Sequence, residues 1–252
     1  MSPIMPGAEP FSAPGGPDAV LVIHGYTGSP GSLRDLAGAF AAAGYTVELP
    51  LLPGHGTTVE DLVATRVDDW TATVSSAFAE LAARSRKVIV VGLSMGGFLA
   101  TWLTRRHPEV AGLIVINPLI EPPAESFLEM MRGVLATGAA SIPAVGSDIA
   151  DPANHEVSYD ATPIEPLLSL FAAMAELEPQ LGEIRCPALI FTSRQDHVVP
   201  PQSSDVLAAG LGGPVEHVWL ERSYHVATQD YDRDEIEARS LEWAAKVFAS
   251  HQ

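Results

Sequence analysis

Residues 87–97 join a run of apolar, mostly β-branched side chains to a helical pattern through a short turn built from glycines and one serine. The turn has the spacing Gly-x-Ser-x-Gly, in which Ser94 lies between Gly92 and Gly96. Side chains at the two glycine positions would clash in so sharp a turn, whereas glycine fits. The stretch therefore predicts a strand, a tight turn and a helix that follow one another without a linker.

A serine in this position is a candidate nucleophile. A strained backbone lifts its hydroxyl above the sheet, and the first N–H groups of the following helix point towards charge that develops on a substrate. The alternative interpretation of Ser94 is a capping serine in an ordinary glycine-rich turn. The turn by itself leaves both interpretations open, and the rest of the chain must decide between them.

Strands and helices alternate along the two parts of the chain that flank a long middle segment. Apolar runs predict five further strands, at residues 18–24, 45–49, 111–117, 187–192 and 215–220. Apolar residues at helical spacing follow most of these runs. The alternation predicts an α/β protein with a mostly parallel central sheet and helices on both faces. Residues 1–17, rich in proline, glycine and alanine, predict an irregular arm.

The alternation stops over residues 118–181. This segment lacks a buried-strand pattern and places prolines between short apolar helical pieces at 127–131 and 167–174. A structureless loop of that length is unusual in a compact domain. We therefore predict a core formed by 1–117 and 182–252, with a small helical cap inserted over the carboxyl edge of the sheet. Whether the apolar cap residues cover a ligand or pack only against the core stays open.

The composition limits the partners that the chain can have. Its 252 residues and 47% hydrophobic content suit one large domain with a substantial core, with or without an insertion. The net charge of −17 disfavours nucleic acid and anionic membrane surfaces. Cys186 is the single cysteine, which excludes an intramolecular disulfide and favours the cytoplasm. The chain shows no signal-peptide pattern, no transmembrane-length apolar run and no metal-ligand spacing, and we expect no metal.

A serine nucleophile needs a base, and the base needs a third group that holds its tautomer. Ligands of open α/β sheets bind at the carboxyl ends of the strands, so these partners are expected just after later strands. Asp196 follows the predicted strand at 187–192, and His225 follows the one at 215–220. The order serine, acid, histidine is that of hydrolases with this turn. We therefore predict a catalytic triad of Ser94, Asp196 and His225.

Other acidic and histidine residues are weaker candidates for these roles. Asp205 and Glu216 fall inside a predicted helix and a predicted strand, and Glu221 is too close to His225 in sequence to orient it easily. Four histidines have ordinary structural interpretations inside a strand, on the surface or at the end of an element: His217, His197, His107 and His24. Of these, His24 ends a buried strand and is expected to brace the adjoining loop.

The tetrahedral intermediate of an acyl transfer needs preorganised N–H donors. One donor is expected from Met95, the residue after the serine. The other is expected from Tyr26, in the loop after the first strand. Because both donors are backbone amides, the predicted oxyanion hole does not depend on the chemistry of either side chain.

Five short motifs resemble those of the bacterial monoacylglycerol lipases and small carboxylesterases of the α/β-hydrolase fold. The motifs lie at residues 24–28, 54–56, 92–97, 196–200 and 223–228. The resemblance extends over nearly the whole chain. It implies an α/β-hydrolase fold, hydrolysis of a monoglyceride to fatty acid and glycerol without a cofactor, and the same triad and oxyanion hole.

The cap segment is most similar to the monoacylglycerol lipase branch of that family. Residues 145–148, Glu156 and Tyr159 stand where the branch has similar Gly-Ser-Asp and Glu-x-x-Tyr patterns. The resemblance implies that Glu156 binds the glycerol hydroxyls and that Val145 lies at the substrate site. A carboxylate accepts hydrogen bonds from a diol, which would select a glyceride over a plain alkyl ester. The alternative for Glu156 is a solvated surface residue.

Two other functions stay open at this point. A broad carboxylesterase acting on short and medium acyl esters would share the triad, and a catalytically silent binding protein would share the fold. A dehalogenase or an epoxide hydrolase is disfavoured, because those enzymes place a carboxylate where Ser94 stands.

The resemblance also carries expectations about the pocket and the partners. Tyr26 stands where phenylalanine is common in relatives, so its hydroxyl is expected to change the pocket wall. The expected partners are a small lipid ester and, through the cap, a transiently contacted lipid surface. The sequence leaves open the preferred acyl-chain length and the choice between a monomer and a homodimer.

Overall fold

A seven-stranded sheet forms the centre of the computed structural model, which describes residues 2–250. The strands of the chain are β1 (Phe11–Ala13), β2 (Asp18–Ile23), β3 (Thr46–Leu49), β4 (Lys87–Leu93), β5 (Gly112–Ile116), β6 (Ser141–Pro143), β7 (Ala161–Pro163), β8 (Ala188–Ser193) and β9 (Val215–Leu220). The large sheet has the order β1-β3-β2-β4-β5-β8-β9. Only the β1–β3 pair is antiparallel, and the other five pairs of this sheet are parallel. The prediction of a mostly parallel α/β sheet is confirmed.

Helices cover both faces of this sheet. They are α1 (Arg34–Ala42), α2 (Val59–Val63), α3 (Val67–Ala82), α4 (Met95–Arg106), α5 (Glu125–Ala136), α6 (Ile164–Leu177), α7 (Gln202–Gly210) and α8 (Arg233–Ala249). Successive side chains of a strand point to opposite faces, so Val90 of β4 lies in the hydrophobic cluster that contains Trp70 of α3, and Val91 lies in the cluster that contains Phe40 of α1. Burial of each valine stabilises the fold by roughly 1.5–3 kcal/mol. Two covered faces explain why β4 has no polar side chain from Val88 to Leu93.

The amino-terminal arm differs from the prediction for residues 1–17. Residues Phe11–Ala13 form β1, whose register with β3 pairs Phe11 with Leu49 and Ala13 with Val47. Three residues are too few to show a periodic pattern, and the hydrogen bonds that define this strand come from a segment far away in sequence. The prediction of an irregular arm is therefore wrong for these three residues.

Between β5 and β8 the chain leaves the large sheet and builds a separate layer. This inserted segment contains α5 and α6, at the two apolar pieces that predicted helices, and a 3-10 turn at Glu178–Glu183. It also contains the small antiparallel sheet of β6 and β7, which the prediction of a purely helical insertion missed. Each of these strands has three residues and ends in a proline, so neither shows a strand pattern in the sequence.

The parallel strands present their carboxyl ends at one edge of the sheet. The loops that follow β2, β4, β5, β8 and β9 carry, in that order, Tyr26, Ser94, Asn117, Asp196 and His225. Within residues 2–250, no helix combines the length and the apolar character that crossing a membrane requires. The same part of the chain holds no group of three His, Cys, Asp or Glu side chains arranged to bind a metal ion.

Candidate active site

The turn between β4 and α4 holds Ser94 in the left-handed region of the backbone map, with φ 57° and ψ −120°. Such a conformation is costly for a residue with a side chain and is found where function requires it. The glycines on either side are obligatory: a Cβ on Gly92 would lie 2.0 Å from the Gly96 carbonyl oxygen, and one on Gly96 would lie 2.0 Å from the Ile23 carbonyl oxygen. Since α4 begins at Met95, Ser94 is the residue on which the strand turns into the helix.

Asp196 and His225 contact each other in the way a triad requires. The imidazole Nδ1 lies 2.7 Å from Asp196 Oδ2, and the two side chains are 8% exposed for the histidine and 2% for the aspartate. The other carboxylate oxygen accepts the N–H groups of Val198 and Val199, each at 2.8 Å. The carboxylate is thus fixed through both oxygens, and it engages the ring at Nδ1 rather than at Nε2.

Charge around His225 favours its protonated form. Burial by itself lowers the pKa of the imidazole, but the Asp196 carboxylate, with smaller contributions from Glu156 and Asp148, outweighs burial and raises that pKa above its ordinary value. A base with a raised pKa accepts the serine proton more readily. In a base that takes a proton from a serine hydroxyl, such charges also stabilise the imidazolium that forms.

Asn117, which sequence reasoning did not single out, holds the backbone of the histidine loop. Its Nδ2 donates to the His225 carbonyl oxygen at 2.7 Å, and its Oδ1 accepts the Ser193 N–H at 2.7 Å. Asn117 is buried at the end of β5 and has φ 44°. A signal was present in the sequence, because asparagine tolerates this conformation better than most residues and here follows a buried strand.

The loop after β2 passes directly against the serine. A Cβ on Gly25 would lie 3.3 Å from Ser94 Cβ, which places the neighbouring Tyr26 beside the same side chain. Among residues 2–250, neither the Tyr26 amide nor the Met95 amide donates a hydrogen bond to the protein. Free N–H donors next to a nucleophile are what a developing oxyanion needs.

His24 braces this loop, and that prediction is confirmed. Its Nδ1–H donates to the Gly25 carbonyl oxygen at 3.0 Å, which leaves Nε2 to accept the Leu52 N–H at 3.1 Å. Burial lowers the pKa of His24 to about 4, despite the hydrogen bond to Gly25. The ring therefore stays neutral and joins the loops after β2 and β3.

Three of the other weak candidates are also engaged elsewhere. Glu221 pairs with Arg194 at 2.7 Å on the surface. The Nε2 of His217 lies 2.8 Å from the Thr192 hydroxyl, within the sheet. His197 is 56% exposed at its side chain, which matches its interpretation as a surface residue, but it also contacts a carboxylate of the inserted segment.

Ser94, His225, Glu156 and Val145 line one cavity of about 260 Å³ between the sheet edge and the inserted segment. Most of the remaining wall is apolar and includes Leu119, Phe127, Ile142, Leu167, Phe171, Val198, Val199 and Val226. Val145 is 69% exposed, so it lies at the rim rather than inside the wall. The cavity offers an apolar chain a surface that leads to the serine.

Glu156 is the one acidic side chain in that wall. Its Oε1 accepts the Ser32 hydroxyl at 2.6 Å, and a Cβ on Gly28 would lie 2.8 Å from the same oxygen. Burial raises the pKa of the Glu156 carboxyl above its ordinary value, although the Ser32 hydrogen bond opposes the shift. Glu156 is therefore not the solvated surface residue of the alternative interpretation.

Two tyrosines attach the inserted segment to the loops of the core. The Tyr26 hydroxyl donates to the Pro163 carbonyl oxygen at 2.7 Å. The Tyr159 hydroxyl donates to the Gly54 carbonyl oxygen at 2.9 Å and accepts the Thr57 N–H at 2.8 Å. The Tyr26 hydroxyl was expected to change the pocket wall. In the structure it links the loop after β2 to the inserted segment.

The sequence was compared with known families and proteins. The Hydrolase_4 family model, described as serine aminopeptidase S33, matches residues 17–232. The thermostable monoacylglycerol lipase of Bacillus sp. strain H-257 is 45% identical over 249 residues, which cover 97% of each chain. A carboxylesterase of Bacillus subtilis strain 168 is 28% identical over 242 residues, covering 95% of this chain and 97% of that protein.

Solved structures give the same grouping. A structure from the study of two metagenome-derived lipolytic enzymes, LipS and LipT, superposes with a TM-score of 0.91 at 41% identity, covering 97% of this chain and 100% of that one. The monoacylglycerol lipase of Paleococcus ferrophilus superposes with a TM-score of 0.76 at 19% identity, covering 95% and 99%. At that identity the second likeness concerns the fold alone.

Proposed function

The chain belongs to the Hydrolase_4 family of α/β-hydrolases, and from that membership we propose that it is a monoacylglycerol lipase that uses Ser94 as its nucleophile. The observation that carries the substrate class is Glu156, a partly buried carboxylate in the wall of an otherwise apolar cavity that also holds Ser94 and His225. An apolar acyl chain and a polar glycerol head need both kinds of surface. A carboxylesterase is the alternative, supported by the more distant relative at 28% identity.

In the proposed reaction, His225 Nε2 takes the proton of the Ser94 hydroxyl while the serine oxygen attacks the ester carbonyl. The Tyr26 and Met95 amides donate to the resulting oxyanion, and Asp196 stays ionised and holds Nδ1. His225 then gives its proton to the glycerol oxygen as the ester bond breaks. Water, deprotonated by His225, attacks the acyl-serine and releases the fatty acid.

Residues 118–181 serve in this proposal as the cap that completes the substrate site. Glu156 accepts hydrogen bonds from the glycerol hydroxyls, with its geometry held by Ser32. Val145, exposed at the rim, contacts the acyl chain as it enters. A diol would then bind more tightly than an alkyl alcohol, because only the diol satisfies the buried carboxylate.

The surface around the cavity supports a proposal about partners. Four large apolar side chains of this region are at least 37% exposed: Phe127, Met130, Val145 and Val198. They would allow brief contact with an uncharged lipid surface, whereas the net charge of −17 opposes an anionic one. We place the protein in the cytoplasm, because its single cysteine suits a reducing compartment. We expect it to be a monomer or a homodimer.

Substitution of the nucleophile tests the reaction. We expect Ser94→Ala to lower kcat on a monoacylglycerol by more than about a thousandfold, since no other group can form the acyl-enzyme. A fluorophosphonate probe should label the wild type and not the variant. A Ser94→Ala variant with near wild-type kcat would refute the nucleophile, and a wild type that neither reacts with the probe nor hydrolyses esters would indicate a silent binding protein.

The substrate class is tested by Glu156→Gln. We expect kcat/KM for a monoacylglycerol to fall roughly fivefold, about 1 kcal/mol, with little change for the ethyl ester of the same acid, because only the glyceride donates to the carboxylate. Glu129→Gln, which removes an exposed charge from α5, is the matched control. Equal losses on both esters would favour the carboxylesterase.

A further inference from the structure

Asp148 of the inserted segment contacts both loops that carry the histidine and the acid of the triad. Its Oδ2 accepts the His225 N–H at 3.0 Å and the His197 N–H at 3.2 Å, and its Oδ1 lies 2.9 Å from His197 Nδ1. Its carbonyl oxygen accepts the Val226 N–H at 3.1 Å. The Asp148 side chain is only 10% exposed, whereas the His197 side chain that it contacts is 56% exposed.

The position of these contacts relates them to the catalytic groups. His197 is the residue after Asp196, and the Asp148 bond to the histidine loop is made by His225 itself. The His225 backbone is therefore held from two sides, at its carbonyl oxygen by Asn117 of the core and at its amide by Asp148. Hydrogen bonds that a carboxylate accepts from N–H groups are stronger than hydrogen bonds between neutral groups.

A second carboxylate fastens the same stretch of the inserted segment. Asp230, fully buried, accepts the N–H groups of Ala150 and Asp151 at 2.8 and 3.0 Å and that of Tyr224 at 2.8 Å. Tyr224 directly precedes His225. Hydrogen bonds therefore fix the stretch around Asp148 to the histidine loop at two points, so this stretch does not form a freely moving lid.

We propose that Asp148 is a positioning residue of the triad, which fixes the loops of Asp196 and His225 relative to each other and adds negative charge beside the base. The inference rests on the triad assigned under the proposed function. It means that the inserted segment supplies part of the catalytic geometry in addition to covering the substrate.

The charges that surround these groups determine the expected pH effect. The imidazole of His225 is faced by three carboxylates, those of Asp196, Glu156 and Asp148. Asp148 itself is faced by His197, whose ring packs against Tyr224 at 4.5 Å between centroids. Removal of the Asp148 charge leaves His225 with fewer negative neighbours, so its pKa falls and the acid limb of kcat/KM moves to lower pH.

The test compares Asp148→Ala with Asp148→Asn on a monoacylglycerol. The asparagine keeps an oxygen for the two N–H groups and presents its amide to His197 Nδ1, so it retains the geometry and loses the charge. We expect Asp148→Ala to lower kcat about 10- to 100-fold with little change in KM. Asp148→Asn should recover most of that loss, and both variants should shift the acid limb to lower pH.

Asp160→Asn, an exposed aspartate of the same segment, controls for the change in net charge and should leave kcat and the pH profile unchanged. Thermal unfolding first establishes that Asp148→Asn is folded. If this variant then shows wild-type kcat and an unshifted acid limb, the inference is overturned, whether or not Asp148→Ala folds. A wild type without activity on any ester would instead remove the proposed function, so the two failures are distinguishable.

Discussion

Substitution of Tyr26 by phenylalanine separates the backbone role of this residue from the role of its hydroxyl. The hydroxyl donates to the carbonyl oxygen of buried Pro163 at 2.7 Å. Phenylalanine keeps the ring, with its edge contacts to Trp70 at 5.7 Å and His55 at 5.9 Å between centroids. The loss is thus limited to one hydrogen bond and the carbonyl group that it leaves unpaired, which together are worth about 1–2 kcal/mol of unfolding free energy.

For a chain of 252 residues, that loss corresponds to a fall in Tm of about 2–4 °C. We expect kcat on a monoacylglycerol to stay within about threefold of wild type, because the oxyanion donor that we propose is the amide and not the side chain. Thermal unfolding and steady-state kinetics measure the two effects, and Tyr231→Phe, at an exposed tyrosine, is the control. Unchanged Tm together with a large loss of kcat would refute the reasoning.

Three further predictions concern the base, the turn and a glycine of α5. The pKa of His225 is raised above 6.5, and the protonated ring cannot accept the serine proton. We therefore expect kcat/KM to fall as the pH drops through a value above 6.5. An acid limb at or below 6.5 in a pH–rate profile contradicts this prediction. Gly96→Ala should lower the unfolding free energy by at least ~2 kcal/mol and nearly abolish activity, because its Cβ would lie 2.0 Å from the Ile23 carbonyl oxygen. Gly133→Ala in α5, where an added Cβ meets nothing within 4 Å, should instead stabilise by up to ~1 kcal/mol, as unfolding curves would show.

The structure changes the interpretation of the inserted segment. Hydrogen bonds from its residues reach the oxyanion loop at Tyr26, the loop after β3 at Thr57 and the histidine loop at His225. Each contact joins a part of the segment to a loop that borders the cavity. A change in this segment is therefore expected to affect turnover as well as substrate choice.

Local sequence determined the parallel strands of the large sheet and the candidate triad. A strand buried on both faces must be apolar at every position, so β4 could be recognised without knowledge of its neighbours. Glycine is required on both sides of Ser94, because a side chain there would collide with the turn itself or with the end of β2. Parallel strands end at one edge, so the placement of Asp196 and His225 after β8 and β9 followed from the order of the elements.

Tertiary structure alone decided which groups complete the site. The β1, β6 and β7 strands have three residues each, and only their partners make them strands. The burial of Glu156 depends on Ser32, and the position of Asp148 depends on His197 and His225, all distant in sequence. A carboxylate has the same local sequence signature whether it is solvated or enclosed, because its surroundings come from segments that meet only when the chain is folded.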